Sequence, residues 1–164
     1  MTTTAEILAQ RALQTPCGEQ CVDWALALLE SGRDGAALCR LASCRPPYNH
    51  FELASLRDQA LIAMRLDDVS NDDADAMYAS ELLAAGLAGE SVILDAVAHV
   101  KDLCLANNYQ RELYDFYLLY FANSDLQEQD IQHYWPEADR SNIDAIIRER
   151  VLRFLDARAI DRSG

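Results

Sequence analysis

A chain of 164 residues, 51% of them apolar, is long enough to bury a core of ordinary size. Its formal net charge of −13 repels phosphate backbones and anionic membrane surfaces, which argues against nucleic acid and for a basic partner or plain solubility. No apolar run approaches the roughly 20 residues that a membrane-crossing helix needs, so no membrane partner is expected.

The segment from Met1 to Gln10 lacks the basic-then-apolar order of a secretory leader. Five cysteines, an odd number, read as reduced thiols. Together these two features give the expectation of a cytoplasmic protein.

Helix signals recur along the whole chain. Thr3-Thr4-Ala5-Glu6 fits a capping box, with Ile7, Leu8 and Leu13 following at helical spacing. Residues 1–14 thus read as a short N-terminal helix or a loosely attached arm. Thr15-Pro16 has the residues favoured at an N-cap and first helical position, and opens a helix through Cys21, Trp24 and Leu28 to Ser31-Gly32. Asp34 is placed to cap a third, short helix carrying Leu38 and Leu41, which Pro46-Pro47 ends. Asn49 and Glu52 form an Asn-x-x-Glu box, and Tyr48 and Leu53 occupy the two positions of a hydrophobic staple. The helix that follows reaches Met64.

Ser70 with Asp73 opens a helix running to Gly86, and Ser91 opens another ending at Asn107-Asn108. From Tyr109 to Trp135 lie eight of the thirteen aromatic residues of the chain. Aromatic side chains dominate both cores and interfaces, so this stretch carries much of the stability or much of the binding. Its run from Phe116 to Phe121 reads as helix, because the neighbours are helical and no partner strand is visible. A short helix after Ser124 is expected to reach Tyr134-Trp135-Pro136. Ser141 with Asp144 opens the last helix, carrying Ile143, Ile147, Val151 and Phe154. A weak internal echo pairs Trp24-Ala25, Leu28-Leu29 and Gly32 with Tyr78-Ala79, Leu82-Leu83 and Gly86, as chance likeness or as a duplicated hairpin.

Candidate chemistry is sparse. Cys17-x3-Cys21 and Cys39-x4-Cys44 could pair on a metal or as disulfides, but both miss the two-residue knuckle, and cysteine is also a small buried hydrophobe. Asp95, His99 and Asp102 share one helix face, opposite the apolar face of Val97, Val100 and Cys104. They could hold a divalent ion, or simply be the solvated side. Asp67, Asp68, Asp72, Asp73 and Asp75 crowd five carboxylates into nine residues. An EF-hand is excluded, because the turn glycine is missing and position twelve is Tyr78. The cluster reads as a patch that steers a basic partner, or as a solvated helix start. Tyr134 and Trp135 head a loop rich in the residue types of binding hot spots, and Trp135 could equally plug the end of a bundle. His50 and His133 stand near no nucleophile pattern, and the phosphate-loop and hydrolase motifs are absent. Glu137 to Gly164 holds six acids and six arginines, so the acid excess lies before it and some of these arginines should pair back onto it.

Three segments together carry a resemblance. They are Trp24-Ala25-Leu26-Ala27-Leu28-Leu29-Glu30-Ser31-Gly32 with Leu38, Leu41 and Ala42; Asp115-Phe116-Tyr117; and Trp135 to Asn142. The chain resembles a group of small all-helical bacterial proteins, some of which are encoded beside secreted toxins as immunity proteins. The resemblance implies a helical fold and an immunity role, and it implies no site residues.

The expected fold is therefore all-α, a single-domain bundle of about seven to eight antiparallel helices, with 15–164 as the helical domain. The expected function is non-enzymatic binding of a basic protein, with Asp67, Asp68, Asp72, Asp73, Asp75, Tyr134 and Trp135 at the contact. No catalytic residue, metal or cofactor is assigned. A structural or adaptor domain is the first alternative, and a metal-dependent enzyme using Asp95, His99 and Asp102 the second.

Overall fold

Helix-starting signals convert into helices almost one for one. The computed structural model describes residues 1–163, and among them eight α-helices and no strand are present. They are α1 (Thr4–Ala12), α2 (Glu19–Glu30), α3 (Ala36–Ser43), α4 (His50–Ala63), α5 (Asn71–Ala88), α6 (Ile93–Ala106), α7 (Tyr114–Glu128) and α8 (Ile143–Ser163). A 3₁₀ turn, Arg111–Leu113, precedes α7. The all-α expectation holds, and the aromatic run of α7 is helix. None of the described helices is long and apolar enough to cross a membrane.

The chain divides into two compact units, Met1–Ala74 and Asp75 onward, so α5 lies almost wholly in the second. In the first unit α1 packs on α2, α2 on α3 and α3 on α4. It buries Ile7, Leu8, Trp24, Leu41, Leu53 and Leu61 completely. The Trp24 indole N–H donates to Thr4 Oγ1 at 3.0 Å, so burial leaves that donor satisfied. The first helix is thus built into the unit through Ile7, Leu8 and this bond. In the second unit α6 packs on α7 and α7 on α8. Its core takes Ala76, Ala79 and Leu83 from α5, Val97 and Val100 from α6, Phe116 and Leu119 from α7, and Ile147 and Phe154 from α8. Phe116 meets Phe154 edge-on at 5.4 Å, a favoured ring geometry.

Several boundaries move from their expected places. Thr3 caps α1 as expected, accepting from Glu6 N–H at 3.1 Å, and Asn49 caps α4, accepting from Phe51 and Glu52 N–H. The second helix starts at Glu19 rather than at Thr15-Pro16, with Gly18 at its N-cap and residues 15–18 outside any helix. Gly35, not Asp34, sits at the N-cap of α3. Gly86 does not stop α5. It lies inside the helix where a Cβ would stand 3.1 Å from Ile93 Cα, so glycine is there for close packing. The stop is Gly89, at φ +77°. Gly32 really ends its helix at φ +88°, so the internal echo fails at its glycine. Finally, α7 runs straight through Ser124 to Glu128, and no separate helix reaches Trp135.

Candidate protein-binding surface

Of the eight clustered aromatics, the five on α7 sort themselves by helical angle. On α7, Phe116, Leu119, Ala122 and Leu126 point into the second core. Tyr114, Tyr117 and Phe121, at i, i+3 and i+7, form a stripe on another face. Tyr109, from the turn before α7, stands against Tyr114 at 6.4 Å and Tyr117 at 5.6 Å. Tyr114 stacks on Tyr117 at 5.4 Å, and Tyr117 meets Phe121 at 5.0 Å. Phe121 meets Tyr120 at 5.2 Å and Tyr134 at 5.6 Å. Six rings thus form one linked surface, with Tyr109 56%, Tyr114 39% and Tyr134 38% exposed.

Two loops hold the ends of this surface. Asn108 and Tyr109 both sit in the left-handed region, at φ +51° and +59°. Asparagine tolerates that conformation, whereas tyrosine is held there at a cost of about 1 kcal/mol. The turn is tied down by Gln110, whose N–H donates to Cys104 O and whose side-chain oxygen accepts from Leu113 N–H at 3.0 Å. At the other end Gln132 organises the loop. Its Oε1 accepts from the N–H groups of Tyr134 and Trp135, both at 2.8 Å, and its Nε2 donates to the carbonyls of Trp135 and Ala138. Sequence reasoning missed Gln132, and no residue-type signal marks it.

Electrostatics around the rings are mixed. Lys101 Nζ lies 4.5 Å from the Tyr120 ring centroid and pairs with Asp102 at 2.8 Å. Burial, and behind it the neighbouring phenols of Tyr109, Tyr134 and Tyr114, pushes the Tyr117 hydroxyl above its ordinary value. It therefore stays a neutral donor at physiological pH. The C-terminal arginines pair back as expected: Arg140 with Asp130 at 2.7 Å, Arg150 with Asp115 at 2.6 Å and Arg158 with Glu112 at 3.4 Å.

The predicted contact residues meet different fates. Asp67, Asp68, Asp72 and Asp73 are exposed in the first unit. Arg11 of α1 donates to the backbone carbonyls of Asp67 and Val69, which fixes that acidic loop. Asp75 is a correction: it is fully buried and accepts from Asn107 Nδ2 at 3.1 Å. Its place in the helical period puts it with Ala76 and Ala79 on the inner face, so it cannot meet a partner. Tyr134 belongs to the ring surface. Trp135 is half-buried against the second core and edges a cavity of about 240 Å³ with Ile146 and Arg150. Asp139 shapes the entry to α8, its Oδ1 accepting from Ser141 and Asn142 N–H and from Ser141 Oγ. Those bonds, led by the Ser141 hydroxyl, hold the Asp139 carboxyl below the usual carboxylate range.

The remaining candidates are quickly placed. Asp95, His99 and Asp102 are all exposed, and among the described residues no group of three or more His, Cys, Asp or Glu side chains is set to hold a metal. The reading of five reduced thiols is also corrected. Cys17 and Cys21 are disulfide-bonded: four residues apart across the start of α2, where Cys21 N–H donates to Gly18 O, their Cα atoms lie 6.0 Å apart, within bonding range. Cys39 and Cys44 are free thiols, and burial pushes the Cys104 thiol up to about 11, which leaves it unreactive. His50 Nδ1 lies 2.6 Å from Cys17 O and therefore carries the donated proton, and His133 is exposed.

Comparison with protein-family models, with curated proteins and with solved structures returned no match. The resemblance to immunity-type proteins therefore rests on its own motifs. Of these, Trp24, Leu38, Leu41, Ala42 and Phe116 are buried core residues, which carry a fold rather than a role.

Proposed function

We propose that this chain is a non-enzymatic binding protein whose partner is a basic protein, with neutralisation of a basic bacterial toxin as the working case. The observation that carries the reading is the linked, part-exposed ring surface of Tyr109, Tyr114, Tyr117, Tyr120, Phe121 and Tyr134. A monomer gains little by leaving six rings in contact at its surface, whereas tyrosine supplies large, rigid contact area at binding hot spots. The net charge of −13 disfavours nucleic acid and steers a basic protein. Asp67, Asp68, Asp72 and Asp73 contribute to that steering, and the rings supply the lasting contact. An immunity role then follows from covering the toxin's working surface.

The test begins with recovery of the partner from the native cells and measurement of its association with purified chain. The association rate should fall steeply with salt. Tyr114→Ala combined with Tyr109→Ala should weaken binding by roughly 10- to 100-fold, chiefly by faster dissociation. A double variant that binds within twofold of the parent would sink the ring-surface reading. The cytoplasmic expectation loses the support it drew from reduced thiols, since Cys17–Cys21 is a bond that oxidising compartments favour. Thiol titration of chain taken directly from native cells separates the two placements.

A further inference from the structure

A separate cavity lies wholly within the first unit. Between the end of α3 and the start of α4 a cavity of about 320 Å³ opens. That is the low end of the range for small-molecule sites, and it suits a small metabolite rather than a nucleotide cofactor. Leu53 and Leu56, both buried, contribute its apolar lining. Arg40, Arg45 and Glu52 line it with charge, and Tyr48 adds a half-buried ring.

Two features make this more than a surface dent. The Arg45 guanidinium is held in place, one nitrogen donating to Ala42 O at 3.1 Å and Cys44 O at 2.9 Å, so its remaining N–H groups are presented without further loss of freedom. The Arg40 guanidinium makes no ion pair or hydrogen bond among the described residues, in a chain where many of the other arginines are engaged. Opposite charges therefore line one cavity without touching: neither Arg40 nor Arg45 pairs with Glu52. A ligand carrying an anionic and a cationic group a few bonds apart would satisfy both sets at once. An anion alone would meet Glu52, and a cation alone would meet two arginines.

We propose that this cavity binds a free amino acid, with its carboxylate on Arg40 and Arg45 and its ammonium on Glu52. The full chain would be screened by thermal unfolding with each standard free L-amino acid at millimolar concentration, and any stabilising one titrated calorimetrically. At least one should raise the midpoint. Its C-terminal amide and its N-acetyl derivative should each bind at least about tenfold more weakly, the scale of one lost charge-assisted contact. Arg40→Gln and Glu52→Gln should show the same loss while unfolding like the parent without ligand; Arg45→Lys, which keeps the charge but loses the fork, serves as a third variant. Absence of stabilisation by every amino acid overturns the proposal. So does an amide or acetylated form that binds as well as the parent compound, or acetate binding as tightly as the zwitterion.

Discussion

Trp24 in α2 and the tyrosines of α7 show two uses of aromatic residues in one chain. In the first unit the large ring goes inward, is 1% exposed, and has its one polar atom satisfied by Thr4. In the second unit α7 splits its rings: Phe116 goes fully into the core while Tyr114, Tyr117 and Phe121 stay on the outer stripe with Tyr109 and Tyr134. Residue type alone does not separate these fates. Position around the helix does, and the hydroxyl of tyrosine lets the outer tyrosines tolerate water.

Core truncation should have the largest effects. Trp24→Ala and Phe116→Ala should each lose about 3–5 kcal/mol in urea unfolding, from lost transfer energy and the cavity left behind. Tyr114→Ala should lose under about 1 kcal/mol by the same measurement, as expected of an exposed site. A Tyr114→Ala loss as large as that of Phe116→Ala would erase the distinction between the inner and outer rings. Next comes Gln132→Ala, which strands two N–H groups and two carbonyls of the loop and should lose about 1–3 kcal/mol. It should also weaken partner binding through Tyr134, although it removes no ring.

Tyr109→Asn sharpens the comparison in another way. It relieves the left-handed tyrosine, so stability should hold within about 1 kcal/mol while partner affinity falls. A variant that unfolds easily but binds normally would show Tyr109 to be structural. The smallest effect concerns pH. Asp139 has a depressed folded-state pKa, so its contribution is present above the unfolded carboxylate value of about 4 and is lost as pH falls through the lower folded value. Asp139→Ala should therefore be less stable than the parent at neutral pH and approach it in acid; a gap that widens in acid would reverse the assignment.

Much of the fold was legible because helix starts are local. Thr3, Asn49 and Ser70 each bond a backbone N–H three residues ahead, so a short window contains the whole interaction. The misread boundaries depended on distant or purely conformational facts. Gly86 reads as a stop, but Ile93 packs against it inside the helix, and the second helix begins late, at the Gly18 N-cap, which no residue-type preference marks over Thr15-Pro16. The candidate surface was half legible: the density of rings from Tyr109 to Trp135 was plain, and Tyr134, expected at the contact, lies at the surface. Asp75 was misplaced because five carboxylates in nine residues look alike until helical phase sends one of them inside.

By itself the sequence determined the all-helical class, the strong acidity and the concentration of aromatics in one stretch, since all three follow from composition and spacing within a turn or two. Only the tertiary structure decided which rings enter the core and which form a surface, that Cys17 joins Cys21, that Asp75 is buried, and that Arg40, Arg45 and Glu52 share a cavity. Each of these depends on what packs against a residue from elsewhere in its unit or on the exact angle at which a helix presents it, and no local window contains that information.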